Sequence, residues 1–139
     1  VYESLISTEE KGEAGIFYTP RVEIDFMCRL SLVEYLFSKT GINKEEIIDI
    51  VFNPESIQYY SNKENLKQIK FYLENVKIVD PAVGSASFLV GMLNILVDLH
   101  TNLTQKIENR TENLFALKQK IILNNLFGVD VKDWAVMVG

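Results

Sequence analysis

The chain predicts an α/β fold in which a helical N-terminal region leads into the start of a parallel sheet, and three observations carry that expectation. A short apolar run, Val76-Lys77-Ile78-Val79, stops at Asp80-Pro81, turns through small residues and restarts with helical spacing. A second run, Leu126 to Val131, follows after a crossover long enough to make the two strands parallel and right-handed. Upstream of Val76, apolar residues recur at three and four, the period of helices rather than strands.

Val1 to Ser7 reads as the tail of a helix, and the polar stretch from Thr8 to Gly15 as a loop. Thr19-Pro20 is a helix start, because a threonine oxygen caps free amides and proline fits the first helical position. The helix runs through Phe37, with Val22, Phe26, Leu30, Val33 and Phe37 as its expected apolar face, and with Glu23 and Asp25 complementing the positive end of its dipole. Cys28, inside it, reads as a buried core thiol. Thr40-Gly41 ends this helix. Asn43 with Glu46 then opens a shorter one through Ile47, Ile48, Ile50 and Val51, which Asn53-Pro54 stops.

From Glu55 the chain is polar, yet Leu66, Ile69, Tyr72 and Leu73 give it an apolar stripe, so a helix is expected up to the strand at Val76. That strand should end at about Asp80, since Pro81 has no amide to donate to a ladder. Phe88, Leu89, Met92, Leu93, Leu96, Leu99 and Leu103 mark one face of a long helix. The polar stretch Thr101 to Arg110 reads as a connection, and Thr111 as the cap of a helix carrying Leu114, Leu117, Ile121 and Ile122. The last stretch, Trp134 to Gly139, is apolar and starts another helix, so the chain is read as a fragment of something longer. Elements before Val76 are expected to pack as a helical extension on the sheet.

At 139 residues, 47% hydrophobic and 24% charged, the chain suffices for one domain with a real core. Its net charge of -5 and pI near 4.9 are opposite in sign to a surface that grips phosphates. One cysteine allows no internal disulfide and suits a reducing cytosol. No apolar run is long enough to span a bilayer, so the expected location is cytoplasmic, without a membrane partner. His100 is lone, with no cysteine or acid cluster beside it, and no metal site is expected.

The chemistry gathers at the turn after the first strand. A carboxylate at the carboxyl end of a strand, facing the amide-rich start of a helix across small side chains, makes a ligand site in open α/β sheets. The stretch Asp80-Pro81-Ala82-Val83-Gly84-Ser85-Ala86-Ser87-Phe88-Leu89 resembles the S-adenosylmethionine-binding motif of DNA amino-methyltransferases, Asp-Pro-Ala-x-Gly-x-Gly-x-Phe-Leu, of the group with type I modification subunits and fused type II restriction-modification enzymes. Gly15-Ile16-Phe17-Tyr18-Thr19-Pro20 is similar to that family's upstream Tyr-Thr-Pro motif, and Leu126-Phe127-Gly128-Val129-Asp130-Val131 to its next strand. The three occur in the family's order. The departure is Ala86, where the family usually has glycine.

The resemblance implies a Rossmann-like S-adenosylmethionine-dependent methyltransferase sheet. Residues 1–75 would be the helical region with the Tyr-Thr-Pro motif, and 76–139 the first part of a truncated cofactor-binding domain. It implies that Asp80 meets the amino acid end of the cofactor and that Ala82, Gly84, Ser85 and Ala86 form the close-approach loop. Asp130 would take the ribose hydroxyls, Val131 would lie against adenine, and Tyr18, Thr19 and Pro20 would close over the methionine end. Blander readings stand beside these: Asp80 caps the turn, Gly84 serves only its angle, and Asp130 caps the next helix, for which Asp133 is as well placed. Phe88 is expected to pack the loop rather than stack on a ligand.

The family's Asn/Asp-Pro-Pro-Tyr/Phe motif, which holds a flipped base, does not occur; Asn53-Pro54 is followed by Glu55 and precedes the cofactor motif. No catalytic residue is therefore assigned, and this chain alone is expected to methylate no DNA. DNA, adenine N6 as the target, and a specificity subunit or fused nuclease are the partners the resemblance implies, through regions outside the chain. Two rivals remain at this point: a methyltransferase for protein or small-molecule acceptors, and a structural domain with a lost cofactor site.

Overall fold

The structure is a computed structural model, and it describes residues 21–80 and 87–128. In chain order the elements are α1 (Arg21–Thr40), α2 (Lys44–Phe52), a 3-10 helix (Pro54–Tyr59), α3 (Lys63–Asn75), β1 (Ile78–Asp80), α4 (Ser87–Glu108), α5 (Leu114–Asn124) and β2 (Leu126–Gly128). The described part is mostly helical, with β1 and β2 paired in parallel.

The long helix α4 organises the rest, because it touches α1, α3, the 3-10 helix, α5 and both strands. Met92, Ile95, Leu96, Leu99 and Leu103 line its buried stripe at helical spacing, and each fully buried leucine contributes about 2 kcal/mol of hydrophobic stabilisation. Before Val76, α1, the 3-10 helix and α3 pack chiefly on α4, while α2 packs on α1 and the 3-10 helix.

Helix α1 turns a different face inward from the one its sequence suggests. Ile24, Cys28, Leu32, Val33 and Leu36 are buried, whereas Val22, Phe26, Leu30 and Phe37 are 80%, 54%, 40% and 41% exposed. Both stripes are apolar and both obey the helical period; only Val33 belongs to the two, and packing against α4 decides between them. The outward Phe26 lies 5.9 Å, centroid to centroid, from Phe52.

The helix ends behave as caps demand. Gly41 adopts φ +70°, the left-handed conformation that stops a helix, and its amide donates to the Phe37 carbonyl at 3.0 Å. Asn43 Oδ1 accepts from the amides of Glu45 and Glu46 at 2.9 and 3.2 Å, opening α2. Beyond Asn53 the expected single helix is two elements. Pro54 opens the 3-10 helix, and Asn62 opens α3 by accepting from the Asn65 amide at 3.1 Å.

The stretch from Thr101, expected as a connection, is helix as far as Glu108. Its polar side chains are absorbed by the helix itself: Thr101 Oγ1 donates to the Val97 carbonyl at 2.7 Å and Asn102 Nδ2 to that of Asp98 at 2.9 Å, while Leu103 and Thr104 are buried. The chain leaves α4 through Asn109 at φ 52°, and α5 is capped by Asn113, not Thr111, through a 3.0 Å bond from the Ala116 amide. The first strand is also shorter than expected, since Val76 is the buried C-cap of α3 and pairing starts at Ile78.

Candidate functional site

Register sets the geometry of the site. Ile78 lies opposite Leu126, Val79 opposite Phe127 and Asp80 opposite Gly128, so Asp80 and Gly128 stand level on the two parallel strands. Alternation turns Ile78 toward the core with Leu126 and leaves Val79 and Phe127 outward, with Lys77 Nζ 5.7 Å from the Phe127 ring centroid. Asp80 shares the inward parity and is half-buried.

An open cleft of about 440 Å³ extends from Asp80 along β1. Met27 and Tyr35 line it from α1, Ile78 and Asp80 from β1, and Phe88 and Met92 from α4. This volume is in the range of small-molecule sites. Phe88 packs against the core as well as lining the cleft.

Cys28, at the α1 side of the cleft, is buried as the sequence suggests, with its Sγ 3.7 Å from the Phe88 carbonyl it donates to. Burial, with the Asp25 carboxylate adding and the Arg29 guanidinium opposing, pushes its thiol up to about 11. It is a neutral thiol at neutral pH, unsuited to nucleophilic work. Tyr35 donates to the Tyr72 carbonyl at 3.4 Å, and burial raises its hydroxyl above the usual tyrosine value.

The amino-terminal end of the strands is built differently. Asn125, 3% exposed, donates from Nδ2 to the carbonyls of Val76 and Glu74 at 2.7 and 3.2 Å, while its own carbonyl accepts from Ile78 at 2.8 Å. Around it, Lys70 pairs with Glu74 at 2.9 Å and Arg110 with Glu112 at 3.6 Å, and Thr104 donates to Glu112 at 2.8 Å. Asn125, Lys70, Glu74, Arg110 and Glu112, with Lys120 and His100, line a smaller polar cavity of about 170 Å³. His100 is buried there, and burial, then the Lys70 charge, holds its imidazole down at about 4 against the pull of Glu74 and Glu112. Sequence reading passed over Asn125; its one signal is a polar pair, Asn124-Asn125, between two apolar runs.

Of the residues expected to hold a cofactor, Asp80 stands where the sequence puts it, at the strand end beside the cleft. Tyr18, Thr19, Pro20, Ala82, Gly84, Ser85, Ala86, Asp130 and Val131 lie outside the described residues. Among the described residues, no group of three His, Cys, Asp or Glu side chains could hold a metal ion, and no helix is long and apolar enough to cross a membrane.

Comparison with known proteins follows the same edge. The family model for the DNA-methyltransferase domain of MmeI matches residues 57–139, more than half of the chain. A protein of Methanocaldococcus jannaschii named as a type II restriction enzyme and methyltransferase is 32% identical over 149 aligned residues. That alignment takes in 99% of this chain and 12% of the relative, so the chain spans about an eighth of that protein's length. No solved structure matches.

Proposed function

The chain belongs to the MmeI DNA-methyltransferase domain family, and from that premise we propose that it is the S-adenosylmethionine-binding part of a restriction-modification methyltransferase acting on an exocyclic amine of DNA, adenine N6. The observation that carries this reading is the strand-end acid: Asp80 closes β1 level with Gly128 of β2, beside an open cleft, and Asp130 follows shortly after Gly128 in the chain. Two acids after adjacent parallel strands suit a ligand with an ammonium at one end and a ribose diol at the other. The sheet is read as the start of a Rossmann-like one.

In this reading S-adenosylmethionine supplies the electrophilic methyl group on its sulfonium sulfur. The chain's own residues bind and orient. Asp80 takes the ammonium, directly or through water; Asp130 accepts from the ribose hydroxyls; Val131 lies against adenine. Ala82, Gly84, Ser85 and Ala86 let the backbone come close, and Tyr18, Thr19 and Pro20 close the methionine end. Their contribution to rate is positioning, since holding the methyl in line replaces a chance encounter. DNA contact, target choice and any nuclease or specificity subunit belong to other parts of the polypeptide or assembly, in keeping with the acidic charge of this part.

Equilibrium dialysis against labelled S-adenosylmethionine tests the reading. Saturable uptake of one molecule per chain, displaced by S-adenosylhomocysteine, is expected. No uptake at millimolar cofactor would overturn it in favour of a structural domain.

A further inference from the structure

His100 sits among Leu96, Leu99 and Leu103 on the buried side of α4 and is 4% exposed. A buried imidazole carries two ring nitrogens that need partners. Among the described residues none hydrogen-bonds to it, whereas its polar neighbours are already engaged: Thr104 donates to Glu112 at 2.8 Å, and Asn125 to the Glu74 and Val76 carbonyls. What the ring borders instead is the polar cavity of about 170 Å³ between α3, α4, α5 and the loop before α5. At the share of volume a water takes in the liquid, that is room for roughly five waters, enough for one small oxyanion.

The charges around that space leave one cation over. Lys70 pairs with Glu74 at 2.9 Å and Arg110 with Glu112 at 3.6 Å, so both acids of the cavity are compensated; the two cations also reach Glu108, at 3.6 and 3.1 Å, from outside it. Lys120, from α5, has no ion pair among the described residues. Its charge and that of Lys70 oppose a proton on His100, while Glu74 and Glu112 favour one.

We propose that this cavity binds a sulfate- or phosphate-type oxyanion, held by Lys120 and by a ring N–H of His100, with Lys70 and Arg110 adding their positive field. The site lies at the opposite end of the strands from Asp80 and is independent of the cofactor reading. An anion there gives the ring an acceptor and Lys120 a counter-charge, and it bridges α4 to α5. It also favours the protonated ring, so binding takes up a proton and tightens as the pH falls from 7 toward 5.

His100 is the one histidine of the chain, so its imidazole signals can be followed by NMR without ambiguity. Sulfate is the probe, because its charge is constant over this range of pH, and chloride at equal ionic strength is the reference. Saturable movement of the His100 signals with millimolar sulfate is expected, and its titration midpoint should rise from about 4 to about 5 or higher. Lys120→Gln should weaken sulfate binding about tenfold, with an unchanged melting temperature in chloride, since Lys120 is exposed and makes no ion pair. Lys118→Gln removes an exposed lysine of the same helix that does not line the cavity, and it should bind sulfate as the parent protein does. His100 signals that ignore sulfate, that move equally in chloride, or that respond alike in the parent protein and Lys120→Gln overturn the proposal, and the cavity is then a water site only. Equal weakening in the two lysine variants overturns it as well, because the effect is then one of overall charge.

Discussion

The two ends of the short parallel sheet are made of opposite materials. At the amino-terminal end, Asn125 stitches α3 to β1, and Lys70, Glu74, Arg110 and Glu112 pair around a buried, neutral His100. At the carboxyl end, Asp80 stands at the margin of an open cleft whose other walls are mostly apolar side chains of α1, β1 and α4. The polar groups of one end satisfy each other, which fixes the strands; the carboxylate of the other faces a space a ligand can fill. A single sheet thus has one end closed by its own polar contacts and one end beside an open cleft, and substitutions at the two ends should have separable effects.

The largest effect is expected at the stitched end. Asn125→Ala leaves the buried Val76 carbonyl and the half-buried Glu74 carbonyl without their donor and should cost about 3 kcal/mol of stability in urea unfolding. A loss below about 1 kcal/mol would mean that water or a shift of α3 replaces the amide, and the stitching account would fail.

Acid should loosen the same end next. His100 is faced by Lys70 and Glu74 from α3, Glu112 from the loop before α5 and Lys120 from α5. Its folded value of about 4 lies below the 6.5 of an ordinary histidine, so the unfolded chain takes up the proton first. The contribution is complete above pH 6.5 and is lost as the pH falls toward 4. Between pH 7 and 4.5, this residue should account for about 2 kcal/mol of lost stability. His100→Leu should flatten that part of the pH profile; a slope unchanged from the parent protein would place the acid sensitivity elsewhere.

Cys28 gives a smaller, kinetic effect. With the thiol buried and held near 11, a thiol reagent at pH 8 should react only as fast as the chain opens, and the rate should rise steeply in denaturant. Immediate reaction in the native protein would mean that the cleft exposes the sulfur.

How far the sequence foretold this depends on whether local chemistry or packing decided the outcome. Asn43 as a cap, Gly41 as a stop and Asp80 as a strand end were legible because each is settled within a few residues. The inward face of α1 was not. Two apolar stripes compete there, and the choice of Ile24, Cys28 and Leu36 over Val22, Phe26 and Phe37 is made by the helix across from them. Thr101 and Asn102 concealed the last turns of α4 because polar residues look like a loop until their bonds back to Val97 and Asp98 are seen. The same division holds for the site: the motif from Asp80 could be read directly, whereas the α1 side of the cleft, Met27 and Tyr35, depends on that packing choice.

The central claim, that the open carboxyl end binds S-adenosylmethionine through its strand-end acids, is met most directly by isothermal titration of S-adenosylhomocysteine into the parent protein, Asp80→Ala and Asp130→Ala. Each substitution is predicted to weaken binding about tenfold, close to 1.4 kcal/mol, through loss of a charged acceptor. Parent-like affinity in both variants would contradict the account and leave the carboxyl end without the role assigned to it.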